Sequence, residues 1–209
     1  MSGVPAAHPR PLLDWGVATR ALTGESESGD ACVVAPFAGG VLAGVIDGLG
    51  HGPEAAEAAR VAVATLKANP GGQVIDLVRS CHESMRRTRG AALSLASFHE
   101  ATGTMTWIGV GNVEGALFRI DRNAARPRDA LMLRSGVVGY QLPPLRAATH
   151  QVHAGDVLLL VTDGISSGYY NRSPVGHATQ ETADDILKRC GRPNDDALVL
   201  VATYLGGQA

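Results

Sequence analysis

Short apolar runs closed by glycine or proline cover most of the sequence, the pattern of strands joined by tight turns. Gly16 to Leu22, Ala31 to Phe37 and Val41 to Ile46 are rich in Val, Ala and aromatic residues, with a Gly39-Gly40 turn between the last two. Ala91 to Phe98, Thr104 to Val110 and Gly115 to Ile120 form a second group, punctuated by Gly103 and by Gly111-Asn112 as hairpins are. Leu131 to Arg134, Thr149 to Val152, Val157 to Thr162 and Ala197 to Leu205 follow. Connections this short imply antiparallel pairing. Three segments change period. Pro53 suits a first helical position, and Ala55, Ala59, Ala62 and Leu66 then recur at helical spacing until Pro70-Gly71-Gly72. Val74, Leu77, Val78, Cys81 and Met85 mark one face of a second helix. Ala183, Ile186, Leu187 and Cys190 mark a third, ending at Gly191. The expected architecture is an α+β sandwich of two mainly antiparallel sheets flanked by helices.

Composition narrows the function. The 209 residues suit one domain spanning 1–209, with loose ends at 1–12 and 206–209. A balance of 18 Lys+Arg against 20 Asp+Glu leaves a net charge of -2, too little positive charge to hold a nucleic-acid backbone. The apolar runs fall far short of the ~20 residues of a bilayer span. The N-terminal segment lacks the hydrophobic stretch of a secretory signal, so a cytoplasmic location is expected. Cys32, Cys81 and Cys190 have no metal-like spacing and read as reduced, buried thiols. Nothing demands more than a monomer.

The chemistry gathers at strand ends. Val41 to Ile46 runs into Asp47-Gly48, and Val157 to Thr162 runs into Asp163-Gly164. Asp30 immediately precedes one strand and Asp195-Asp196 another. Where strands are antiparallel, the C-terminus of one lies beside the N-terminus of the next, so these carboxylates can meet at one sandwich edge. Each glycine reads as the residue that permits a tight turn after its aspartate. Taken singly, an aspartate beside a strand is ordinarily a turn or cap residue. Taken together, bare carboxylates repel and need raised pKa values or cations. An all-oxygen set selects hard divalent ions such as Mg²⁺ or Mn²⁺. Two such ions about 4 Å apart share a water, make hydroxide available at neutral pH and neutralise a phosphoryl group. Phosphate monoesters need that electrostatic help, being among the slowest esters to hydrolyse unaided.

Asp47-Gly48-Leu49-Gly50-His51-Gly52-Pro53-Glu54-Ala55 resembles the DGxGHGxxA signature of bacterial PP2C-type (PPM) serine/threonine phosphatases. Ser28-Gly29-Asp30 resembles that family's SGD element. The segments running from Gly155 through Asp163-Gly164-Ile165 and from Asp195 to Val201 resemble its GDxLLLxTDGI and DDxTLLVV elements. Trp107 to Asn112 is similar to the GVGN segment of the short stand-alone, RsbX-type members of bacterial stress signalling. The resemblance implies a four-layer αββα fold and hydrolysis of phosphoserine or phosphothreonine by direct attack of a metal-bridging hydroxide, with no phosphoenzyme. It implies two Mn²⁺ or Mg²⁺ ions, with Asp47 bridging both, the Gly48 carbonyl on one, Asp163 and Asp195 completing the set, and Asp30 holding metal-bound water or an ion. Its expected partner is a phosphorylated STAS-domain regulator of a stressosome or anti-sigma pathway. Two departures stand out: Leu198 occupies a position that is often Thr, and Gly111-Asn112-Val113 replaces the GDS of larger members. No phosphate-clamping Arg is assigned; Arg20, the nearest candidate, is ordinarily a solvated strand residue.

His51 could donate a proton to a leaving seryl oxygen, or order its loop. His150 and His153, three apart in an expected strand, would face opposite sides, which argues against a zinc pair. Two readings outside catalysis remain: a binding module that kept the fold and lost activity, and a dinucleotide site, since Gly50 to Ala55 also matches G-x-G-x-x-A. The latter needs a parallel strand with an acid ~20 residues on, where the chain instead has Pro70-Gly71-Gly72 and a second helix.

Overall fold

The computed structural model describes residues 11–121 and 126–207. In chain order the elements are β1 (Leu13–Arg20), β2 (Asp30–Phe37), β3 (Gly40–Gly48), α1 (Pro53–Ala68), α2 (Val74–Ser84), β4 (Ala91–His99), β5 (Thr104–Val110), β6 (Glu114–Phe118), β7 (Arg128–Ala130), β8 (Ala148–Gln151), β9 (Val157–Val161), a 3-10 turn (Ser167–Asn171), α3 (Thr179–Cys190) and β10 (Ala197–Tyr204). The strands form two five-stranded sheets, ordered β1-β10-β9-β6-β7 and β2-β3-β4-β5-β8, and every strand pairing is antiparallel.

The strands read as uniformly apolar because both sheet faces are covered. In β3, Val41, Ala43 and Val45 face the space between the sheets, where they meet Phe98, Trp107, Leu158, Leu160, Leu198 and Leu200. Leu42 and Ile46 alternate to the other side and pack under α1 and α2. On the opposite outer face, Val157, Leu159 and Val161 pack against Tyr169, Ala183 and Ile186. The result is helices, sheet, sheet, helix: the four-layer sandwich that the family resemblance implies. Helix α1 turns Ala55, Ala56, Ala58, Ala59 and Ala62 to the sheet. With little side chain between them, helix and strands come close, which matters at the site below. Among the described residues, no helix is long and apolar enough to cross a membrane.

Some expectations shift. The strand placed at Leu131 to Arg134 is β7 instead, three residues earlier and only three long; Leu131 continues it with one hydrogen bond to the Gly115 carbonyl. The first strand lies at Leu13–Arg20. Gly191 ends α3 in an extended conformation, not a left-handed one. Cys81 and Cys190 are buried free thiols, but Cys32 is only half-buried. Most of the expected loose ends, 1–10 and 208–209, fall outside the described residues.

Candidate active site

Four strand ends meet at one edge. Strand β3 ends at Asp47-Gly48 and β9 runs on into Thr162-Asp163, while β2 begins with Asp30 and β10 follows Asp195-Asp196. Asp30 and Asp47 are direct cross-strand neighbours. Like charges opposite each other destabilise a sheet. Asp47, Asp163 and Asp195 line a cavity of about 510 Å³, together with Leu49, His51 and Asn112. Asp30 is buried beneath, with 8% exposure. Burial first, and then the Asp47 charge, push the Asp30 carboxyl up to about 8, against the opposing hydrogen bond from Thr162. Burial and then Asp163, Asp195 and Asp196 push Asp47 up to about 7. Asp195 is also raised, by burial and then by Asp163.

Neighbouring groups fix these carboxylates. The Leu198 amide donates to Thr162 Oγ1 (2.9 Å), and that hydroxyl donates to Asp30 Oδ2 (2.8 Å). The relay crosses from one sheet to the other. Asn112 Nδ2 donates to Asp163 Oδ2 at 2.6 Å. Asp196 points elsewhere: its two oxygens accept the amides of Leu22 (2.7 Å) and Gly29 (2.8 Å), tying down the β1–β2 connection. It is the structural member of the Asp195-Asp196 pair, and Asp195 is the one on the cavity wall.

The glycines after the two strand-end aspartates act differently from the expectation. Neither Gly48 nor Gly164 has a positive φ. Instead, a β-carbon on Gly48 would collide with the Ala55 carbonyl of α1, and one on Gly164 with the Asp196 carbonyl. They are glycines because other backbone passes directly against them. The positive-φ positions come later in the loop, at Gly50 and Gly52 (φ 91° and 73°). This loop carries His51, whose Nδ1 lies 2.6 Å from Glu25 Oε1.

A family model described as stage II sporulation protein E (SpoIIE) matches residues 38–205. The chain belongs to the SpoIIE family of PP2C-type phosphatases. A solved structure described under "The bacterial stressosome: a modular system that has been adapted to control secondary messenger signaling" is 32% identical, with a TM-score of 0.82 over 91% of this chain and 98% of that one. RsbX in complex with magnesium is 19% identical, with a TM-score of 0.78 over 91% and 94%. The PP2C phosphatase domain of SpoIIE from Bacillus subtilis, solved with a fragment of its regulatory domain, is 20% identical, with a TM-score of 0.72 over 94% and 64%. No curated protein matches at a significant level.

The donor set of this SpoIIE-family chain fits hard divalent cations: its carboxylates converge, and the charges acting on Asp47 are other carboxylates. The set is not closed, since among the described residues no group of three or more His, Cys, Asp or Glu is arranged as a metal shell. Asn112 and Thr162 lie within the sequence motifs, but only the fold reveals their partners. Thr beside Asp-Gly was the available signal for one; nothing in the sequence paired Asn112 with Asp163. Arg20 donates to the Arg192 carbonyl and does not line the cavity. His153 lies beyond β8, and it shares a cavity wall with His150 at the other end of β9, where they approach Asp156 and Asp129 respectively. The opposite-face expectation for this pair therefore fails, because only His150 is in the strand. The dinucleotide reading loses its βαβ unit: α1 leads to α2 and then to β4, antiparallel to β3.

Proposed function

We propose that this protein is a divalent-cation-dependent phosphoprotein phosphatase acting on phosphoserine or phosphothreonine of bacterial signalling proteins. The observation that carries the reading is the convergence of Asp47, Asp163 and Asp195 on one cavity, with Asp30 buried against Asp47. Asp47, Asp163, Asp195 and the Gly48 carbonyl are the groups that would hold two Mn²⁺ or Mg²⁺ ions, with Asp30 behind them. Bound there, the ions would neutralise a phosphoryl group and lower the pKa of water. The chain's own part is to hold the carboxylates together and aimed. Thr162 fixes one Asp30 oxygen and Asn112 one Asp163 oxygen, so little reorganisation remains when substrate arrives.

His51 is the residue for the leaving oxygen. Glu25 engages its Nδ1, which leaves Nε2 to carry a proton towards a seryl oxygen at the cavity mouth. A cytoplasmic setting and a phosphorylated STAS-domain regulator as substrate fit the resemblance to RsbX-type enzymes, and the RsbX structure noted above contains magnesium. Assaying p-nitrophenyl phosphate with Mn²⁺ and with EDTA tests the activity. Mass spectrometry of candidate phosphorylated STAS proteins tests the substrate. Turnover unaffected by EDTA, or none with Mn²⁺, defeats the proposal; in the second case a binding module that kept the fold replaces it.

A further inference from the structure

We infer that Gln180 closes the free edge of the β1 sheet by standing in for a paired strand, and so keeps two copies of this chain from joining edge to edge through β1. Strand β1 ends its sheet, with β10 on one side and no strand on the other. Its register fixes which backbone groups are committed. The Leu205 amide donates to the Leu12 carbonyl, so by alternation the even-numbered residues of β1 bond to β10. Leu13, Trp15, Val17 and Thr19 turn their N–H and C=O groups to the open side. An edge of this kind is a template for another chain. The other three sheet edges are defended in their own sequence: β7 and β8 are three and four residues long, and β2 carries Pro36. Strand β1 has eight residues and no proline.

Gln180, in the first turn of α3, occupies the middle of that edge. The Val17 amide donates to Gln180 Oε1 (3.1 Å), and Gln180 Nε2 donates to the Val17 carbonyl (2.9 Å). A hydrogen-bonded antiparallel pair exchanges the same two bonds; here a side-chain amide does so. Nε2 also donates to Asp184 Oδ1 (3.0 Å), one turn along the helix, which sets the orientation of the amide. The helix is seated to allow this reach. A β-carbon on Gly16 would collide with the Gln180 backbone, and Thr179 Oγ1 donates to Asp14 Oδ2 (3.1 Å). Gln180 does not line the acidic cavity, so the inference is independent of the phosphatase reading.

The partner that the cap excludes is a second copy of β1. About a two-fold axis at Val17, the two Val17 residues would face each other as a hydrogen-bonded pair, and the bonds made would be the two that Gln180 now holds. Trp15, 46% exposed, would then lie opposite Thr19 of the other copy, a cross-strand contact that favours the pairing once the cap is gone.

The test uses the full chain. Gln180→Met keeps the side-chain length and removes both bonds, and Gln180→Ala removes them without adding apolar surface. Gln180 is exposed, so both variants should fold. In sedimentation velocity the wild type should be a monomer, and both variants should associate at concentrations at least roughly tenfold lower, the effect of losing two competing hydrogen bonds. Adding Val17→Pro, which deletes the outward N–H and is tolerated on an edge strand, should return each to a monomer. In hydrogen exchange the Val17 amide should exchange faster than wild type in the dilute variants and become protected again as they associate. Variants that stay monomeric and only melt at a lower temperature overturn the inference, leaving Gln180 as an anchor of α3. Association of Gln180→Met alone, association that persists with Val17→Pro, or a wild type already paired through β1 also overturns it.

Discussion

Asp47 sits where negative charge is expensive: burial, and then three carboxylates, raise its pKa to about 7. Converting it to Asn keeps the shape and removes both the charge and one of the proposed cation ligands. Asp47→Asn and Asp163→Asn should therefore lose phosphatase activity by at least about a hundredfold, in line with losing a principal electrostatic group, while circular dichroism stays native. Near-normal turnover in either variant defeats the site assignment. Thr162 gives a different prediction, because its hydroxyl both accepts from Leu198 and donates to Asp30. Thr162→Val preserves volume but leaves a buried amide and a buried carboxyl each short of a partner. A loss of about 1–3 kcal/mol in urea unfolding is expected; an unchanged midpoint shows that the relay carries no stability. For His51, an unaltered pH–rate profile of His51→Ala between pH 6 and 8 removes it from proton transfer.

At the scale of elements, the site depends on how near helix α1 lies to strand β3. The alanine face of α1 allows that approach, and Gly48 has no room for a β-carbon against the Ala55 carbonyl. Gly48→Ala must push the helix off the strand end and move the neighbouring Asp47. A destabilisation of about 1–3 kcal/mol, together with lost activity, is expected from thermal unfolding and assay. A variant as stable and as active as the wild type shows the contact to be slack. This also shows where sequence reading reaches its limit. Strand β9 was legible because an unbroken Val157-to-Val161 run between a Gly-Asp and an Asp-Gly admits few other readings. Strand β7 was not, because Arg128-Asp129-Ala130 has no apolar period; it is a strand only through its ladder with β6. The strand-end aspartates were legible as positions, since antiparallel order brings Asp30 beside Asp47 and Asp163 beside Asp195, and stacking of the two sheets unites the pairs. The reason for their glycines was not, because a close approach between distant segments leaves no local mark. The same holds for Asp196, which looks like its neighbour in sequence and differs only in the amides it meets.

At the scale of the whole molecule, the acidic site opposes the fold that holds it. Asp30 and Asp47 have folded-state values of about 8 and about 7. The same groups titrate near 4 in an unfolded chain. Between these limits the folded protein binds more protons than the unfolded one, so the slope of unfolding free energy with pH is negative. The stability associated with these two groups is fully present below about pH 4, declines as pH rises, and is lost once pH passes about 8. Metal-free protein should accordingly melt at a lower temperature at pH 8 than at pH 6, by several degrees, since 1 kcal/mol moves the midpoint of a domain this size by about 2–4 °C. On the proposed reading cations would act in the other direction, because they would bind the deprotonated carboxylates of the folded state only. Mn²⁺ should raise the midpoint at pH 8 more than at pH 6, where protons compete for the same oxygens. In Asp47→Asn the slope between pH 6 and 8 should flatten and the response to Mn²⁺ should shrink. Scanning fluorimetry of both proteins over this range, with EDTA or with Mn²⁺, decides the matter. A wild-type midpoint that is level with pH and unmoved by Mn²⁺ means that the buried carboxylates neither strain the fold nor gather ions to relieve it.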